Sequence, residues 1–132
     1  MRSDQPSVSD GQSAVRAIRG ATTLDADTPE QITTRVQALI KAMISRNGLH
    51  HDDLISMLFT ATDDIVSMFP AAAARALGLG DVPLICAREI PVVGSTPRCV
   101  RVMMHVNTTR GREQLHHVYL EGARSLRDDL PE

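Results

Sequence analysis

Arg101 sits in the middle of the run PRCVRVMMHV, Pro97 to Val106, whose Val, Met and Cys residues otherwise suit a strand. A guanidinium stays charged even when desolvated and presents a planar fork of donors matched to a carboxylate. Strand alternation sets Cys99, Arg101, Met103 and His105 on one face and Val100, Val102, Met104 and Val106 on the other. The aliphatic face belongs to a core, so the Arg101 face looks into a cleft, a subunit interface or solvent. A plain surface arginine satisfies the same pattern. Arg19 closes an earlier strand with Val15 and Ala17 on its side, and Gly20 follows where backbone or ligand can approach closely. Two strand-borne arginines suggest recognition of a dianion.

The rest of the composition removes other chemistries. The formal net charge is -2, there is no Trp, and Phe59, Phe69 and Tyr119 are the only aromatics, so neither an electrostatic footprint nor stacking platforms for nucleic acid are present. The five His (His50, His51, His105, His116, His117) and the two Cys (Cys86, Cys99) show no metal-ligand spacing. No metal or other cofactor is expected. Two thiols make no disulfide framework, no apolar run approaches the roughly 18 to 20 residues of a membrane helix, and the first residues lack the apolar stretch of a signal peptide. The expectation is a cytoplasmic protein with no membrane partner.

A length of 132 residues suits one domain. Residues 1–13 are rich in Ser, Asp, Gln, Gly and Pro and read as a disordered leader, with the domain over 14–132 and a flexible C-terminal tail. A first strand runs from Ala14 to about Gly20. Thr28-Pro29-Glu30-Gln31 then offers an N-cap, a first-turn Pro and a capping box, ahead of the stripe Ile32, Val36, Leu39, Ile40, Met43, Ile44. Asn47-Gly48 ends this helix. Leu54 to Thr60 reads as a strand buried on both faces. Phe69-Pro70 and AAAARAL give a short helix that Gly78 and Gly80 stop. Val82 to Ile90 and Arg98 to Asn107 are strands joined by a Pro91–Pro97 loop. The spacing of Leu115, Val118, Tyr119, Gly122, Ala123 and Leu126 predicts a closing amphipathic helix of at least three turns. The resulting order is β-α-β-α-β-β-α, an α+β single domain.

Several of these stretches together carry a resemblance. IRGATT (Ile18 to Thr23), the T-A-T-D-D-x4-F-P-A run from Thr60 to Ala71, Cys86-x-x-Glu89, CVRVMM (Cys99 to Met104) and HVYLE (His117 to Glu121) resemble, in order, the monofunctional trimeric chorismate mutases of the AroH class. The resemblance covers about Val15 to Leu130. It implies a pseudo-α/β-barrel homotrimer with active sites between subunits, and rearrangement of chorismate to prephenate on the way to phenylalanine and tyrosine. That concerted Claisen reaction needs no nucleophile, proton transfer or cofactor, which agrees with a sequence lacking a metal cluster, phosphate loop or triad.

By position in the matching motifs, the resemblance implies that Arg101 meets the ether oxygen as it turns negative. Arg19 and the Tyr119 hydroxyl would bind the enolpyruvyl carboxylate, and Glu89 with Cys86 the ring hydroxyl. Phe69 and Arg75 would come from a neighbouring chain's FPAAAAR segment, with Ala71 and Ala72 beside them. Leu84 and Ile85 would line the substrate, and Leu126 and Arg127 would close the mouth. Residue by residue, plainer readings exist: Cys86 as a small core hydrophobe, Tyr119 as core packing, Phe69 as a helix-start residue, Glu89 and Arg127 as solvated charges. Cys86 and Glu89 are three apart, so strict alternation separates them unless the strand breaks.

The chain departs from the family pattern at Ala72, where a lysine can stand, and at Leu84 and Ile85, which can be smaller or polar. The expected result is a raised Michaelis constant with turnover largely kept. Two other readings fit less of the sequence. A trimeric imine deaminase of the Rid type would not need Glu89 with two arginines, and a non-catalytic trimer binding an aromatic metabolite would not need Arg101 intact.

Overall fold

The computed structural model describes residues 12–126, so most of the expected leader and the C-terminal tail lie outside the described residues. Thr28 caps the first helix, α1, Pro29–Arg46: it is extended at φ -135°, and its Oγ1 accepts the Gln31 N–H at 3.1 Å. The return half of the capping box does not form, because Gln31 Oε1 instead accepts the Asp25 N–H at 3.1 Å and so ties down the preceding loop. At the far end Gly48 adopts φ 61°, and the Leu49 N–H reaches back to the Ile44 carbonyl at 3.0 Å. Ile32, Val36, Leu39, Ile40 and Met43 are buried, as their spacing requires.

The strands are β1 (Ala14–Thr23), β2 (Leu54–Ala61), β3 (Leu84–Arg88), β4 (Cys99–Thr108) and β5 (Val118–Tyr119), arranged in one sheet in the order β3-β2-β4-β1-β5. β4 is central and pairs antiparallel with β1 and β2, while β3 runs parallel to β2 and β5 parallel to β1. In this register Arg101 lies between Ala21 of β1 and Thr60 of β2.

Both helices cover one face. β1 and α1 approach so closely at Gly20 that an added Cβ would stand 2.5 Å from Met43 Sδ. The second helix, α2 (Pro70–Ala74), continues through a wide turn to Leu79 and packs on α1, β2 and β3. Gly78, at φ 95°, breaks the helical turn, and Gly80, at φ -67°, caps its end. Val100, Val102, Met104 and Val106 of β4 are buried beneath α1 and α2 with Ile18, Met57 and Phe59. Each such side chain contributes about 1.5–3 kcal/mol by leaving water. On the opposite sheet face Val15, Leu58 and Ile85 are exposed by 62%, 38% and 65%.

Two expectations are corrected. Within one chain β2 is buried on one face only: Met57 and Phe59 point into the core, but the intervening Leu58 faces the uncovered side, because among the described residues the helices stand on one side alone. The closing helix does not form. Its place is taken by a 3₁₀ turn at Arg112–Gln114, the short strand β5 and a second 3₁₀ turn at Glu121–Ser125, so among the described residues β5 is the last strand and no α-helix follows it. β1 otherwise has an unpaired edge, and Val118-Tyr119 supplies partners for it opposite Gly20 and Ala21. In that conformation Val118 joins the main core while Tyr119 points to the other face with Ala21, Cys99 and Ala123. A helix would have kept neighbouring apolar residues on one side.

Candidate active site

Alternation along β4 takes Arg101 away from the helices and β1 does the same for Arg19, so both guanidiniums project on the uncovered face. There they line a recess of 230 Å³ with Glu89, Tyr119 and Thr60. Arg101 Nε is buried, has no hydrogen bond and stands 3.3 Å from Glu89 Oε2, an ionic distance without hydrogen-bond alignment. Its side chain is otherwise 43% exposed, so the positive fork opens toward the recess. The guanidinium of Arg19 makes no hydrogen bond or ion pair among the described residues, while its backbone N–H donates to His117 Nδ1 at 2.9 Å, holding that end of β1.

Glu89 follows the last residue of β3. Its N–H donates to the Ala61 carbonyl at 2.9 Å, one rung beyond the strand, and its Oε2 accepts the Thr60 hydroxyl. Thr60, in register beside Arg101, thus orients the carboxylate that the arginine faces. The sequence contained the signal for Thr60 within T-A-T-D-D, but only the strand pairing reveals it as a neighbour of Arg101.

Cys86 does not join this group. It points to the helix side, packs against the core and lines a second, larger cavity of 660 Å³ with Phe69, Met68 and Arg88. Alternation therefore separates Cys86 from Glu89 within one chain. Phe69 is 71% exposed just before Pro70. Arg75 is exposed, Ala72 half-buried, and Ala71 sits in the core at 4% exposure. Leu84 packs against the core, Ile85 lies on the uncovered face beside Leu58, and Leu126 packs near Tyr119 and Ala123. Arg127 lies outside the described residues. The candidate residues of one chain thus fall into two groups: Arg19, Glu89, Arg101 and Tyr119 in the recess, and Phe69 with Cys86 in the larger cavity.

Burial pushes the Cys99 thiol upward, with Arg101 opposing in part, so this thiol beside the recess is held protonated. Away from the recess, the backbone N–H of Val66 and then the Ser67 hydroxyl hold the Asp27 carboxyl below its ordinary value. Asp27 accepts from Val66 N at 3.0 Å, Ser67 N at 3.2 Å and Ser67 Oγ at 2.7 Å, tying the β1–α1 loop to the segment before Phe69. Among the described residues no cluster of His, Cys, Asp and Glu is arranged to hold a metal ion, and no helix is long and apolar enough to cross a membrane.

Residues 15–130 match the model of the family described as chorismate mutase type I. The chain is 46% identical over 117 residues to the chorismate mutase AroH of Thermus thermophilus, spanning 88% of this chain and 96% of that one. It is 43% identical over 117 residues to the chorismate mutase AroH of Bacillus subtilis strain 168, spanning 88% and 92%. The solved chorismate mutase from Clostridium thermocellum superposes with a TM-score of 0.81 at 49% identity, covering 83% of this chain and 97% of that chain.

Proposed function

The chain belongs to the type I chorismate mutase family and rearranges chorismate to prephenate, and we propose that it does so in the recess around Arg101. The observation that carries this placement is the convergence of Arg19, Arg101 and Glu89 on one small cavity, with Arg101 Nε buried and unbonded. Chorismate carries two carboxylates, a ring hydroxyl and an enolpyruvyl ether. In the proposed arrangement Arg19 and the Tyr119 hydroxyl take the enolpyruvyl carboxylate, and Glu89 accepts from the ring hydroxyl. Holding the side arm over the ring in a reactive geometry can supply up to about 7 to 11 kcal/mol in favourable intramolecular cases.

As C–O cleavage runs ahead of C–C bond formation, the ether oxygen gains negative charge. Arg101 is already charged and in position, so it binds this state better than the ground state. No covalent intermediate or acid-base step is required. Glu89, itself fixed by Thr60, keeps the Arg101 fork from turning away before substrate arrives.

We further propose that the enzyme is a homotrimer with each active site shared between chains. The recess of 230 Å³ is smaller than the roughly 300–1,000 Å³ usual for small-molecule sites, and Phe69 and Cys86 line a separate cavity. A neighbouring chain presenting its Phe69 and Arg75 would complete the recess, and the apolar uncovered face bearing Leu58 and Ile85 would be covered in the same assembly. A cytoplasmic location accompanies this reading, supported by the two free thiols, Cys86 and Cys99. The test is the loss of chorismate's ultraviolet absorbance on adding purified protein, with Arg101→Ala alongside. Prephenate formation abolished by the substitution supports the placement, and undiminished turnover in the variant overturns it.

A further inference from the structure

β4 begins from a strained residue. Arg98 is one of two non-glycine residues with positive φ among the described residues, at 45°, a conformation that side chains with a Cβ disfavour. It is held from several directions. Asp64 accepts its backbone N–H with both carboxylate oxygens, at 3.1 and 2.9 Å. Leu24 donates its N–H to the Arg98 carbonyl at 2.9 Å and accepts from Arg98 Nε at 3.1 Å.

The next residue is held by the same unit. The Cys99 N–H donates to Thr62 Oγ1 at 3.0 Å, and that hydroxyl donates to Asp64 Oδ1 at 2.5 Å. The Thr62 N–H returns to the Cys99 carbonyl at 3.1 Å. One carboxylate and one hydroxyl, both just past the end of β2, therefore fix two consecutive backbone groups at the start of β4. Arg101 is two residues further on, and the same β2 end supplies Thr60 and the Ala61 carbonyl that position Glu89.

We propose that Asp64 is a positioning residue for catalysis: by holding Arg98 left-handed, it sets how the N-terminal end of β4 meets β2, and so where the Arg101 fork stands relative to Glu89. This rests on Arg101 being the cation that meets the developing oxyanion. Asp64 touches no substrate in this scheme. Its effect is on geometry, where small displacements of a preorganised group lower turnover. A left-handed residue that must be clamped is one that glycine adopts unaided.

The experiment is steady-state kinetics on Asp64→Ala, on Asp64→Ala with Arg98→Gly, and on Arg101→Ala, with thermal unfolding of each. Asp64→Ala is expected to lower kcat about ten-fold with KM within about two-fold, because the lost interaction matters chiefly in the transition state. The added Arg98→Gly, which needs no clamp to hold φ 45°, is expected to recover most of that kcat without recovering thermal stability. A clamp that served stability alone would lower Tm and leave kcat per folded molecule unchanged, which overturns the proposal. So does a kcat loss that glycine at 98 fails to recover, or a rise in KM alone. If Asp64→Ala does not fold, Asp64→Asn, which keeps one carbonyl acceptor, replaces it under the same criteria. Full activity in Arg101→Ala would instead overturn the catalytic reading on which the proposal stands.

Discussion

Truncating Arg101 to alanine should damage the reaction far more than the fold, and the structure gives both magnitudes. On the side of the fold, Arg101 makes one ionic contact, 3.3 Å to Glu89, with a side chain 43% exposed. Such a pair contributes about 0–1 kcal/mol. Its Nε satisfies no hydrogen bond, and Glu89 keeps the Thr60 hydroxyl and its own rung to Ala61, so truncation orphans little. The stability loss is therefore expected to be about 1 kcal/mol or less, a few degrees in Tm. On the side of the reaction, one preorganised donor facing a developing oxyanion is lost, typically about 2.7–4 kcal/mol or 10²–10³ in kcat. Initial rates of chorismate disappearance across a range of concentrations, with melting curves on the same samples, separate the two effects. Arg101→Lys should fall between parent and alanine, because ammonium keeps the charge but has neither Nε nor a planar fork. A folded Arg101→Ala protein whose kcat stays within a few-fold of the parent would refute the charge argument. A rise in KM alone would show instead that Arg101 holds a ground-state carboxylate.

Other expectations follow from neighbouring features. Ala72→Lys should lower KM for chorismate with kcat nearly unchanged, measured in the same assay; a change in kcat alone would count against it. Ile85→Glu puts a charge on the uncovered apolar face and should shift the protein from trimer to monomer by light scattering, with activity falling in parallel. A monomeric parent would contradict the shared-site reading. Asp27 has a folded pKa held below its ordinary value of 3.8, so the stability it adds is present above that value and disappears as pH falls through the lower folded value. The Tm difference between the parent and Asp27→Ala should therefore be constant near neutrality and vanish only in strong acid; a difference that faded between pH 5 and 7 would assign it to another group.

Local signals were legible where local chemistry decides the outcome. Thr28, Pro29 and Gly48 fix the ends of α1 through their own side chains and φ preferences, and the β4 alternation put Arg101 off the core side because four aliphatic residues needed the other. The closing helix failed because Leu115, Val118, Tyr119 and Ala123 match helical spacing, while the deciding demand came from the unpaired edge of β1, nearly a hundred residues earlier. The same limit applies to Thr60, Asp64 and Arg98. Each makes its partners across strand ends, with sequence separations that no periodicity encodes. For Cys86 and Glu89, alternation separates them within one chain, and the two residues line different cavities.

β5 is two residues long and lies outermost in the sheet, yet it delivers Tyr119 to the recess that Arg19 and Arg101 already share. During synthesis the chain is made from its N-terminus, so both arginines and every other strand precede the tyrosine. A nascent chain that has emerged only through β4 carries Arg19 and Arg101 but not the tyrosine that forms one wall of the recess. The last wall of the recess is thus added only after every strand that carries its arginines has been made.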